Sequence, residues 1–191
     1  MQKGPTQTER DYILVRKCIK KDGNASQLLY NQFSGKMFSI CLRYASDYHS
    51  AEDILQEGFV KAFKNLAKFR FEGSFEGWLR RIVVNTAIEH YRKNVPMYPI
   101  LDVGNTERER VNDLTLENLE AEDIMEMVNR LSPGYKTVFN LYVVEGFPHK
   151  EIAKKLEISE GTSKSQLARA RYLLQEMVKE LENGYQEAYA K

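Results

Sequence analysis

Residues 148–174 read PHKEIAKKLEISEGTSKSQLARARYLL, and their periodicity decides how the C-terminal part of the chain folds. Ile152, Ala153 and Leu156 make the apolar stripe of a short first helix. Ile158 plugs a tight turn, and Ser159 is placed to cap a second helix by accepting from a backbone N–H of its first turn. In that second helix Leu167, Ala170 and Leu174 recur at +3 and +4 and therefore face inward. Thr162, Lys164, Ser165, Gln166, Arg169 and Arg171 are left for the outside. Short hydrogen-bonding groups and long cations are the types that read base edges and clamp phosphates in a major groove. The stretch is a helix-turn-helix with its recognition helix at 160–172. The plainer reading is a core-packing helical hairpin with a solvated basic face.

Working outward, residues 131–146 read LSPGYKTVFNLYVVEG. Ser132 caps and Pro133 opens a helix. Val138, Phe139, Leu141, Tyr142 and Val143 point inward along it, and Gly146 stops it. Before it, 116–130 forms another helix with Leu119, Ile124, Met127 and Val128 on one face. The tail after Glu182 is polar and expected to fray. Between 95 and 117 the apolar stripe fails, and two prolines and a glycine mark an extended linker.

The N-terminal half repeats the helical period four times. A helix over 8–21 carries Tyr12, Ile13, Val15, Arg16 and Ile19 and breaks at Asp22-Gly23. The next buries Leu29, Phe33, Met37, Ile40 and Cys41. The third, about 49–67, carries Ile54, Leu55, Phe59, Ala62, Phe63 and Leu66. An aromatic loop, FRFEGSFEG at 69–77, feeds a fourth helix, WLRRIVVNTAIEHYRKN at 78–94. No stretch alternates with period 2, so the fold class is all-α: a four-helix bundle and a helix-turn-helix domain joined by a linker.

Composition bounds the function. The 191 residues are 42% hydrophobic and 29% charged, as in a globular protein. No run approaches the roughly 18 apolar residues of a membrane span, and the N-terminus lacks the apolar core of a signal peptide. These features predict a cytoplasmic protein without membrane insertion. Cys18 and Cys41 form no CxxC, and the three histidines are scattered, so no metal, disulfide framework or cofactor is expected. No P-loop, GxSxG or plausible triad offers a catalytic residue. The net charge of +1 hides a segregation: 16 Lys/Arg against 10 Asp/Glu over 1–94, 2 against 9 over 95–127, and 10 against 8 over 128–191. Two positive modules around an acidic joint predict two polyanion contacts. Neither module is basic enough to hold DNA tightly by counterion release alone.

Two places in the bundle exceed packing. Asp53 and Gln56 lie at helical spacing on the polar side of the third helix, although carboxylates near a helix N-terminus are also favourable to the dipole. On the fourth, Trp78, Arg81, Asn85 and Arg92 follow one face behind an aromatic loop containing Phe71. Aromatic rings for unstacked bases beside cations for the backbone suit single-stranded DNA.

Three motifs resemble extracytoplasmic-function RNA polymerase sigma factors. EIAKKLEISEGTSKSQLARAR resembles the promoter-reading motif of region 4, usually close to EIA..LGIS.GTVKSRL.RAR. Glu157 stands where the family has a turn glycine, and Ser163 replaces the usual valine. AEDILQEGFVKAF resembles region 2.2, and SFEGWLRRIVVNTAIEHYRK resembles regions 2.3–2.4; in the latter Glu89 stands for Asp and Val84 for a common basic residue. The resemblance implies that Asp53, Gln56 and Phe59 belong to or support a core RNA polymerase interface. It implies further that Phe71, Trp78, Arg81, Asn85 and Arg92 melt the −10 element and capture a flipped base, while the recognition helix reads the −35 element. The implied domains are 1–94, a linker at 95–117, and 118–191; the implied partners are core polymerase, promoter DNA and an anti-sigma factor. The rival is an autonomous dimeric helix-turn-helix regulator, which explains 148–174 equally well but not the aromatic loop, Asn85 or the third helix.

Overall fold

The computed structural model describes residues 6–94 and 121–189. Every regular element among them is helical, and the chain divides into two units, Met1–Asn94 and Val95–Lys191. The first contains α1 (Gln7–Ile19), α2 (Gly23–Leu42), α3 (Tyr48–Asn65), a 3₁₀ turn at Leu66–Lys68 and α4 (Phe75–Asn94). The second contains α5 (Ala121–Arg130), α6 (Pro133–Phe139), a π-helical segment Asn140–Val144, α7 (His149–Leu156) and α8 (Glu160–Tyr189).

Local chemistry sets the helix starts. Thr6 and Glu9 form a reciprocal capping box on α1: the Glu9 N–H donates to Thr6 Oγ1 at 3.3 Å, and the Thr6 N–H to Glu9 Oε2 at 2.7 Å. Asp22 caps α2 by accepting from the Ala25 N–H at 3.1 Å. Asp47 caps α3 through the Ser50 N–H at 2.8 Å. That bond, with those from the Ser46 and Ser50 hydroxyls, holds its carboxyl below the usual carboxylate range.

The bundle closes around Val15, Leu29, Phe33, Met37, Ile54, Phe75, Leu79 and Val83, all buried. Each such side chain contributes roughly 1.5–3 kcal/mol of burial. Phe33 and Phe75 meet edge-on at 5.3 Å, which fixes the start of α4 against α2. α3 and α4 approach closely at Gly58, where a Cβ would lie 3.1 Å from Val83 Cγ2. Lys61 of α3 adds a polar tie, reaching Glu89 of α4 at 2.7 Å and Glu57 of its own helix at 2.8 Å. Cys18 and Cys41 are buried free thiols, and burial pushes Cys41 up to about 12, so both behave as small apolar residues.

In the second unit Met127, Val128 and Leu131 pack against Ala170, Leu174 and Val178 of α8. Ile152 and Leu156 of α7 are buried as expected. Three expectations change. α4 begins at Phe75 rather than Trp78, because Ser74 caps it: its hydroxyl accepts from the Gly77 N–H at 3.3 Å. The π-helical turn at Asn140–Val144 inserts an extra residue, and Val143 is left 49% exposed instead of facing the core. α8 runs on as one helix to Tyr189, past Glu182 where fraying was expected. The 95–117 linker and the expected start of α5 at Leu116 lie outside the described residues.

Candidate nucleic-acid and polymerase interfaces

The turn between α7 and α8 is closed by Glu157 in the left-handed conformation, at φ 57° and ψ 39°. The Ile158 N–H reaches back to the Ala153 carbonyl at 3.1 Å, the closing bond of a Schellman motif. The backbone thus makes the turn that the family's glycine would make, with a side chain for which it is costly. Ser159 then caps α8, accepting from the Thr162 N–H at 2.9 Å, and its hydroxyl lies 2.8 Å from that of Thr162.

Along α8, Lys164, Ser165 and Arg169 are exposed, and Thr162 and Arg171 are half-buried. Lys164 pairs with Glu160 one turn back at 2.9 Å and holds that carboxyl low. An exposed pair of this kind costs little to break, so Lys164 is available to a phosphate. Arg169 lies over Tyr172 at 4.9 Å, and Arg171 leans toward the Tyr142 ring at 5.9 Å. Gln166 is only 7% exposed. The expectation that its side chain stands outside is therefore corrected: the helix turns it into the packed face beside Leu167.

Ser163 is fully buried, and its Oγ lies 2.9 Å from His149 Nδ1. The imidazole stacks on Tyr142 at 4.5 Å and 23°. Sequence reasoning flagged the hydroxyl at 163 but not its partner, fourteen positions away on α7. Tyr172, exposed beside Arg169, was likewise missed.

In the first unit, the loop before α4 lines a hollow of about 450 Å³ whose walls include Lys68, Arg70, Ser74, Gly77, Trp78 and Arg81. Phe69 and Phe75 are buried beneath it. They support the Trp78 ring at 5.6 and 5.5 Å. Trp78 is half-buried and Arg81 exposed; Asn85, half-buried, and Arg92, exposed, continue along α4. Phe71 departs from expectation. It is half-buried at φ 58° and is not part of the wall of the hollow. Its ring meets Tyr12 at 5.3 Å and carries the Arg16 guanidinium at 5.0 Å.

On α3, Asp53 and Gln56 are exposed. Gln56 borders a groove of about 380 Å³ shared with Tyr30, Ser34, Phe38, Tyr48 and Leu55. Phe59 is 4% exposed and packs on Tyr30 at 4.7 Å. Its place is beneath the surface, where it supports Gln56's helix. Among the described residues no group of three or more His, Cys, Asp or Glu is arranged to hold a metal, and no helix is long and apolar enough to cross a membrane.

Both helical units match sigma-70 families, the class of transcription initiation factors. The Sigma-70 region 2 family matches residues 29–95, and Sigma-70, region 4 matches residues 121–174. The chain is 30% identical over 183 residues to the ECF RNA polymerase sigma-E factor of Escherichia coli, covering 90% of this chain and 95% of that one. It is 28% identical over 185 residues to the ECF RNA polymerase sigma factor SigW of Bacillus subtilis, covering 88% and 99%. Among solved structures it is similar to the sigma factor RpoE in complex with the anti-sigma factor NepR from Bartonella quintana, at 24% identity and TM-score 0.48, covering 80% and 96%. The chain belongs to the extracytoplasmic-function RNA polymerase sigma factors. That membership decides for a transcription initiation factor and against an autonomous regulator.

Proposed function

We propose that residues 1–94 dock on core RNA polymerase and open the −10 element, that 95–117 link the modules, and that 118–191 read the −35 element. The observation that carries this reading is the hollow at the start of α4. One indole, three cations (Lys68, Arg70 and Arg81) against one carboxylate (Glu72), and a supporting floor of buried rings converge there. An extruded base gains stacking on Trp78, roughly 1–3 kcal/mol, while the cations follow the displaced backbone. Arg81, Asn85 and Arg92 extend the track along α4, with Phe71 supporting the loop. Asp53 and Gln56 face the polymerase, and Phe59 backs them from the core.

In the second module Thr162, Lys164, Ser165, Arg169 and Arg171 meet the −35 major groove, with Gln166 buttressing their helix. The work is binding and strand separation; the protein makes or breaks no covalent bond. It acts in the cytoplasm, and an anti-sigma factor occluding both modules is the expected regulator. Permanganate reactivity of −10 thymines with core polymerase and cognate promoter tests the reading. Trp78→Ala and Asn85→Ala are expected to keep closed complexes and lose reactive thymines; full reactivity in both would refute it.

A further inference from the structure

The aromatic loop holds two residues in the left-handed region, Phe71 at φ 58° and Gly73 at φ 89°. Glycine adopts such a backbone freely; phenylalanine does not, and persists there only when its surroundings over-determine it. Phe69 of the same loop packs on the Phe71 ring at 5.0 Å, and the remaining contacts come from α1, some sixty residues earlier. The Tyr12 hydroxyl donates to the Gly73 carbonyl at 2.8 Å. Its ring meets Phe71 and Phe69 edge-on at 5.3 and 5.8 Å. Arg16, one turn along, lays its guanidinium over Phe71 at 5.0 Å. Each contact falls on one of the two strained residues or on the ring between them and the bundle. With Phe71 drawn toward α1, the hollow is lined instead by Arg70, Glu72 and Trp78.

We propose that Tyr12 and Arg16 are positioning residues for −10 strand capture, acting by pinning Phe71 and Gly73 in the turn that keeps the hollow open. The proposal rests on the −10 reading above. Neither residue lines the hollow. Both act through the loop, and α1 becomes a latch rather than only a wall of the bundle. Released from it, Phe71 relaxes to an ordinary backbone conformation and the loop loses the shape that receives a base.

The test uses holoenzyme assembled from core polymerase and the full chain with Tyr12→Phe, which removes only the hydroxyl, and Arg16→Met, which keeps the stem and removes the cation. Both are expected to bind core and form closed complexes as the wild type does, and to open the promoter about tenfold more slowly; Arg16→Lys restores part of the rate. A forked −10 probe adds a readout that general loss of structure would not move. An abasic scan of its non-template strand with wild-type protein finds the captured position. The variants are expected to lose about tenfold in affinity for the intact fork and nothing for the fork abasic at that position. Equal loss on both probes, parallel loss of core affinity, or wild-type opening rates would each overturn the proposal. Trp78→Ala is the control: if it blocks opening while Tyr12→Phe and Arg16→Met do not, the −10 reading stands and the latch falls. If Trp78→Ala also opens normally, the −10 reading itself fails.

Discussion

His149 of α7 and Ser163 of α8 join the two helices of the helix-turn-helix by a polar pair, Nδ1 to Oγ at 2.9 Å, with Ser163 fully buried. The buried Ser163 hydroxyl needs a partner, and His149 supplies it. Burial, then the charges of Lys164 and Arg171, push the imidazole below its ordinary value, with Glu160 opposing. The unfolded chain therefore takes up this proton before the folded one does. The associated stability is present above the unfolded value of about 6.5 and is lost as pH falls toward and through the lower folded value. Thermal unfolding of the full chain is expected to show a fall in Tm between pH 7.5 and 5.5 that His149→Phe reduces. An identical pH slope in that variant would contradict the assignment.

Ser163→Ala is expected to destabilise the unit by about 1 kcal/mol, since it strands the ring nitrogen of His149 rather than only removing a hydroxyl. Denaturant unfolding measures it; a neutral result would mean that water replaces the hydroxyl without cost.

Glu157 holds a backbone conformation that suits glycine. Glu157→Gly relieves the left-handed penalty of roughly 1–2 kcal/mol and gives back part of it as chain entropy. A net gain of about 0.5–1 kcal/mol is expected in the unfolding free energy. A loss would show that the Glu157 side chain contributes more than its backbone costs.

Lys164 and Arg169 are exposed along the recognition helix but are expected to act differently. Lys164→Ala weakens promoter binding by holoenzyme across −35 sequences and lowers the salt slope by about one, as for a phosphate contact. Arg169→Ala costs about 1–3 kcal/mol and relaxes preference at one base pair. Core affinity stays unchanged in both. Equal activity of either variant on the cognate promoter would count against the −35 assignment.

On α3, exposure separates the proposed interface residues Asp53 and Gln56 from the buried Phe59. Asp53→Ala with Gln56→Ala is expected to lower core affinity at unchanged thermal stability. Phe59→Ala, by contrast, removes a buried ring and costs about 3–5 kcal/mol of fold stability. If the double variant binds core as the wild type does, the interface lies elsewhere.

The helical architecture was legible because each element writes its own period. Leu29, Phe33, Met37 and Ile40 are spaced for one face of α2, and all are buried. Ser159 was readable as a cap because capping is local. What escaped was set by distant contacts or by a change of register. Phe71 reads as an exposed stacking ring until Tyr12 and Arg16 arrive from α1. Val143 reads as core until the π-helical turn rotates it outward. Gln166 belongs to the polar set by residue type, while its position beside Leu167 buries it. His149 gave no signal, because its partner is buried on another helix.

The central claim is that this chain acts only through polymerase. Run-off transcription from a cognate promoter with purified bacterial core polymerase, beside DNA binding by the protein alone, tests it most directly. The expected result is initiation that requires both chain and core, with weak binding by the free protein. Tight, sequence-specific binding without polymerase, and no initiation with it, would contradict the account.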